Sequence, residues 1–377
     1  MRADGFGKRQ LTHGYPDGGA NFDPAWARGP VRSEPSRRPV EKRRRGRLVL
    51  RVPFTVDGVS ADGGRVAVAP AAPNHGAINA PSPPLYVWRP RTGEVMRLVG
   101  SPCVSADQVT LAADRLAFDC DQSGTDVVAQ SLRVYDLASR RPTEVFFGHN
   151  GGASISRGVY LDRIEGGGGL LAFGSEATDP LGRPLRRGVW RIDDGHAVRL
   201  RSGPAAGELV AADGGHLAVE LPNGWVQLFA PDGRLLRILR PPHRRPQPRF
   251  FAPHPRREIL AGDRLIVRIG RPLHIYDADS GALRHSWPAR GTLEAADGGL
   301  AISASGRELD LLRLRDGRTW HIRIPTADRE LRHRLGHFFE RPVHADLTSA
   351  GLFYSYNTHD RRDPGRIVFV PRANLPG

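Results

Sequence analysis

The sequence predicts an all-β protein, specifically a seven-bladed β-propeller, on three observations. A short apolar segment returns seven times at a period near 48 residues, a tight-turn sequence precedes each copy, and a second strand–turn–strand register follows it. The 44 glycines and 32 prolines among 377 residues agree with many turns rather than long helices.

The seven copies are RVAVAP (65–70), RLAFDC (115–120), LLAFGS (170–175), HLAVEL (216–221), RLIVRI (264–269), LAISAS (300–305) and LFYSYN (352–357). The turns before them read ADGG, AAD, GGGG, ADGG, AGD, ADGG and TSAG, residue types that accept positive φ or preset a hairpin. Each copy is therefore expected to be the second strand of a hairpin. The following register reads LYVWRPRTG, LRVYDLASR, GVWRIDDG, VQLFAPDG, LHIYDADSG and LDLLRLRDG, and IVFVPR comes last. Trp88, Tyr135, Trp190, Phe229 and Tyr276 recur just before its turn, and apolar stretches such as VMRLV, TEVFF and LLRIL follow it. This makes four short strands per unit, the composition of a propeller blade, in which each unit buries its neighbour's apolar face. One helical insertion is expected, at Ala327 to Phe339, where LRHRLGHFF has weak helical periodicity.

The last unit is one strand short, while RLVLRVPF at 47–54 is an orphan strand ahead of the first. Their pairing would close the ring and cover two sheet edges. The expected organisation is a basic, Pro/Gly-rich extension over 1–46, disordered or a remnant of a preceding repeat, a propeller over 47–372 and a tail over 373–377.

The formal charge is +15, but it does not point to nucleic acid. Only Lys8 and Lys42 are lysines, and such an arginine bias follows from GC-rich codon usage without selection for binding. The excess sits in residues 1–47 and in the segment from Arg240 to Glu258, leaving the rest close to neutral. The run Lys42-Arg43-Arg44-Arg45 has no interleaved aromatics for base stacking. No stretch approaches the roughly 18 apolar residues of a membrane span, and no signal-peptide h-region opens the chain.

Arg2-Ala3-Asp4-Gly5 followed by Gln10-Leu11-Thr12 resembles the end of a TolB-type propeller repeat, and Asp23-Pro24-Ala25-Trp26 the opening of the next. The pattern departs at Ala27, and the seven later units match only the general style of TolB-like or WD-repeat blades. The resemblance implies a bacterial, protein-binding propeller of a kind commonly exported to the periplasm. Either the true start lies upstream of Met1 or the segment is an extension carrying a chance motif, so localisation stays open.

Cys103 and Cys120 are 17 residues apart, with Cys120 ending one strand and Cys103 in the connection leading to its hairpin partner, so a disulfide is expected. Asp119, Asp121 and Ser123 alternate before Gly124 like the start of a calcium loop, but the twelfth position is Gln130 rather than Glu. Calcium is thus a weak candidate cofactor, and the Asp277/Asp279 turn reads as a hairpin. His333 and His337 could share a helix face with His344 following, but no Glu lies between them and Gly336 weakens the helix, so no zinc site is assigned. No G-x-S-x-G elbow is present, and GGGG at 166–169 lacks the Lys-Ser/Thr of a phosphate loop.

The reading is a noncatalytic binding or scaffold module for a protein partner, expected to be a monomer. Its best contact element is the segment RPPHRRPQPRFFAPHPRRE, through Arg244, Arg245, Arg249, Phe250, Phe251, Arg256 and Arg257, because arginine and aromatic side chains dominate binding hot spots. The alternatives are a propeller enzyme, a hydrolase or lyase acting on a carbohydrate, lactone or similar small molecule, and a non-functional remnant of a longer propeller.

Overall fold

Period-two alternation and two-residue turns give each unit four antiparallel strands, and seven such sheets form the protein. The computed structural model describes residues 46–71, 84–98, 103, 108–121, 129–149, 158–179, 183–241, 258–305, 308–324, 343–358 and 364–376, and the backbone of 40–44. All belong to one unit, residues 37–377.

From inside to outside, blade 1 consists of Val56–Asp62, Arg65–Pro70, Leu85–Arg89 and Glu94–Leu98, and blade 2 of Val109–Ala112, Arg115–Asp121, Ala129–Asp136 and Arg141–His149. Blade 3 consists of Gly158–Gly167, Leu170–Thr178, Pro184–Asp193 and His196–Gly203, and blade 4 of Glu208–Asp213, His216–Glu220, Val226–Phe229 and Leu235–Leu239. Blade 5 is Glu258–Ala261, Arg264–Arg268, Pro272–Asp277 and Leu283–Pro288, and blade 6 is Thr292–Asp297, Leu300–Ser305, Glu308–Arg313 and Thr319–Arg323. Blade 7 is Val343–Thr348, Gly351–Asn357 and Gly365–Pro371, followed in space by the N-terminal strand Arg47–Val52. Each innermost strand packs on the innermost strands of both neighbouring blades, and blade 7 returns to blade 1, so the ring is closed.

The closure expected from the sequence is present. Arg47–Val52 pairs antiparallel with Gly365–Pro371, placing Leu48 opposite Phe369, Leu50 opposite Ile367 and Val52 opposite Gly365. Outside it, Val40–Arg44 adds a fifth strand. The sequence reading places no strand there, because VEKRR carries no apolar alternation. The strand forms on an existing sheet edge, where backbone hydrogen bonds suffice.

Seven apolar clusters hold the ring, one at each blade junction. The recurring aromatics belong to them: Trp88 is fully buried between blades 7 and 1, and Phe173 stacks on Trp190 at 5.9 Å against the blade 2–3 junction. The ADGG turns use glycine where it is needed; in blade 6, Gly298 and Gly299 have φ of +54° and +84°. The innermost strands of blades 1, 3, 4 and 6 each carry a one-residue bulge, which adds the local twist that crowding near the axis demands.

Antiparallel order fixes the polarity of the ring. The turns from first to second strand and from third to fourth lie on one face, while the second-to-third loops and the inter-blade connections leave from the other. The first is the turn face and the second the connection face.

Candidate functional site

Propellers place chemistry where innermost strands converge, and here those strands carry many polar residues. Their side chains bind the backbone of the next blade. Ser60 Oγ accepts from Leu111 N at 2.9 Å and Asp62 Oδ2 from Ala113 N at 2.6 Å, joining blade 1 to blade 2. Gln108 accepts from Ile164 N and donates to the Asp162 carbonyl, and Thr110 Oγ1 donates to the Ile164 carbonyl, joining blade 2 to blade 3. Arg163 donates to the Val210 carbonyl and Asp213 Oδ2 accepts from Gly262 N, continuing through blades 4 and 5. Asp346 Oδ2 accepts from Ala61 N at 2.6 Å and Thr348 Oγ1 donates to the Gly63 carbonyl at 2.7 Å, joining blade 7 back to blade 1. Glu165, Glu208, Glu258 and Glu294 are buried, and each is partnered. The inter-blade bonds of Asp62, Asp213 and Asp346 tie the ring together, which the repeat pattern alone does not reveal.

Asp297 departs from this arrangement. It ends the inner strand of blade 6 in the same ADGG context as Asp62 and Asp213, yet its Oδ2 is buried without a hydrogen-bond partner. Burial raises its carboxyl above the ordinary value of 3.8; Asp213 and Asp62 add to the rise, while Arg372 and the Gly298 N–H oppose it. A raised pKa means that the fold holds the proton more tightly than the unfolded chain. Its stabilising contribution is complete below pH 3.8 and is lost as pH rises through the folded value. Asp297→Asn is therefore expected to raise the Tm at pH 7, with the gain vanishing in acid, as scanning calorimetry at several pH values would show.

Beside Asp297 on the turn face, a cavity of about 400 Å³ opens between blades 5 and 6. Its wall includes Arg264, Arg284, Arg313, Arg315 and Arg372, against Asp263 and Asp277. Arg284 pairs with Asp277 at 2.6 Å, and Arg313 pairs with Asp316 through two hydrogen bonds of 2.9 and 2.6 Å. Asp277 also accepts from the Ser280 amide and hydroxyl, and these bonds with Arg284 hold its carboxyl far below the usual range. It caps its own hairpin, as DADSG suggests. The arginines come from turns of three different blades, so no local motif in the sequence announces the cavity.

The sequence-derived candidates are dispersed. Cys103 and Cys120 form a disulfide with Cα atoms 5.0 Å apart, tying the connection after blade 1 to the second strand of blade 2. Asp119 and Asp121 lie in that same strand, opposite Leu132 and Gln130, and Ser123 lies outside the described residues. Arg244, Arg245, Arg249, Phe250, Phe251, Arg256 and Arg257 lie outside them too, as do His333, His337 and the helix expected at 327–339. Arg240, at the end of blade 4 where the segment 240–258 begins, stacks over Trp225 at 4.4 Å. His344 sits on the inner strand of blade 7. Among the described residues, Glu308, Asp310 and His321 bring ligand-type atoms within 4.8 Å of one another on the outer strands of blade 6. The His321 ring N–H donates to Asp310 at 2.6 Å. No helix among the described residues is long and apolar enough to cross a membrane.

No protein-family profile matches the chain, and no curated protein matches it in sequence. Solved structures do resemble it in fold. An oligogalacturonate lyase from Vibrio parahaemolyticus is 12% identical with a TM-score of 0.50, over 87% of this chain and 95% of that one. A chain of a mitotic checkpoint complex is 15% identical with a TM-score of 0.48, over 86% and 94%, and BamB from Moraxella catarrhalis is 10% identical with a TM-score of 0.41, over 85% and 91%. At these identities the likeness is one of propeller fold alone.

Proposed function

We propose that this propeller is a noncatalytic, TolB-like binding module for a protein partner, working as a monomer. One observation carries the reading: at five of the seven blade junctions, polar side chains on or beside the innermost strands make side-chain-to-backbone bonds to the next blade. Such bonds make the ring stiff, so a partner meets a surface that loses little conformational entropy on binding. They also occupy the inner-strand groups that a channel-centred enzyme would keep for substrate. The TolB-like character rests on residues 2–5, 10–12 and 23–26.

The contact element is the segment 240–258, which joins blades 4 and 5. The double variant Phe250→Ala/Phe251→Ala is expected to lose a partner co-purified with the wild-type chain from its own cells, with Tm unchanged. Loss of about 2 kcal/mol or more is usual for an aromatic hot spot, and retention of the partner by the double variant would remove this element from the account.

A further inference from the structure

We propose that the cavity between blades 5 and 6 is a binding site for a small organic anion, a molecule with a doubly charged phosphate or carboxylate head and a compact apolar body. The inference does not depend on the protein-partner reading.

The first argument is charge. Of the five guanidinium groups on the wall, Arg264, Arg284 and Arg313 face Asp263, Asp277 and Asp316. Arg315 and Arg372 have no carboxylate partner within ion-pair distance among the described residues. Arg315 is exposed at the cavity rim. Arg372 donates from Nη2 to the Gly298 carbonyl at 2.7 Å, while its Nη1 is buried without an acceptor. A buried donor left unpaired destabilises the fold, and an anionic oxygen entering the cavity would remove that cost. Two guanidiniums outside any ion pair among the described residues suit a head group of charge −2, and the planar fork of arginine matches the oxygens of carboxylate and phosphate alike.

The second argument is size and lining. A cavity of about 400 Å³ falls within the range for small-molecule sites, roughly 300–1,000 Å³, and far exceeds a bare phosphate ion. Pro376 and the stems of the arginines supply apolar wall, with Leu300 and Leu314 packed beneath, so the ligand has a hydrocarbon part as well as a charged head.

The test is calorimetric titration of the full chain at low ionic strength, where surface charges are least screened, with phenyl phosphate, phthalate and neutral benzyl alcohol. One equivalent of phenyl phosphate or phthalate is expected to bind, and benzyl alcohol is not; which anion binds more tightly identifies the head group. Arg315→Gln and Arg372→Lys should each weaken binding about tenfold, the loss of one charge-assisted contact. Arg315 is exposed and makes no hydrogen bond or ion pair among the described residues, so its variant remains informative if Arg372→Lys proves unstable. Failure of both anions to bind, or binding that neither substitution alters, would overturn the proposal.

Discussion

A chain lacking residues 40–54 is expected to lose its cooperative thermal transition and to self-associate. Leu50 and Val52 are fully buried, and with Phe54 they fill the junction of blades 7 and 1 against Val66, Trp88, Phe353 and Ile367. Each such side chain contributes about 1.5–3 kcal/mol by burial alone. The deletion also bares the edge of Gly365–Pro371 and the apolar side of blade 7, a template for pairing with another chain. Because each junction is shared by two blades, an opening at one point weakens both neighbours, unlike the loss of a terminal repeat from an open array. Two milder variants separate closure from general damage. Leu50→Ala should cost about 2–5 kcal/mol as a core cavity. Gly365→Ala would drive a Cβ into the Phe54 carbonyl oxygen, at the point where the N-terminal strand meets the last blade. Calorimetry that shows the truncated chain melting like the intact one would refute closure as a source of stability.

The second large effect is expected on reduction. The Cys103–Cys120 bridge closes a loop of 17 residues of separation, and both cysteines are buried in the cluster between blades 1 and 2. A loop of that size predicts about 3 kcal/mol of stabilisation by restriction of the unfolded chain. For a unit of this length the Tm should fall on the order of 5 °C in reductant. The double variant Cys103→Ala/Cys120→Ala should match the reduced protein and respond to reductant no further. An identical Tm with and without reductant would show that the bridge adds nothing.

The fold was legible in the sequence because its signal is repeated. Each apolar segment with its ADGG-type turn is ambiguous alone, but seven copies at one period leave few architectures, and the strand missing from the seventh unit is supplied by RLVLRVPF. The edge strand Val40–Arg44 was not legible, because its formation depends on a partner edge and not on its own side-chain pattern. The anion cavity was hidden for a related reason. Arg264, Arg313 and Arg372 converge only after three blades are assembled, and in a chain with 55 basic residues no single arginine draws notice. The inter-blade bonds show the same limit. Asp62 and Asp213 are recognisable as turn residues, but that each reaches the amide of the next blade follows from the ring.

The closed, stiff ring is the premise of both binding proposals, and native-state hydrogen exchange with peptide-level mass analysis tests it most directly. The account predicts that amides of Leu48, Leu50 and Val52 exchange together with those of Phe353, Ile367 and Phe369, through a single opening that also exposes blade 1. Exchange of the N-terminal strand at much lower free energy than blades 1 and 7 would mean that it is a loose edge on an open ring, and would contradict the account.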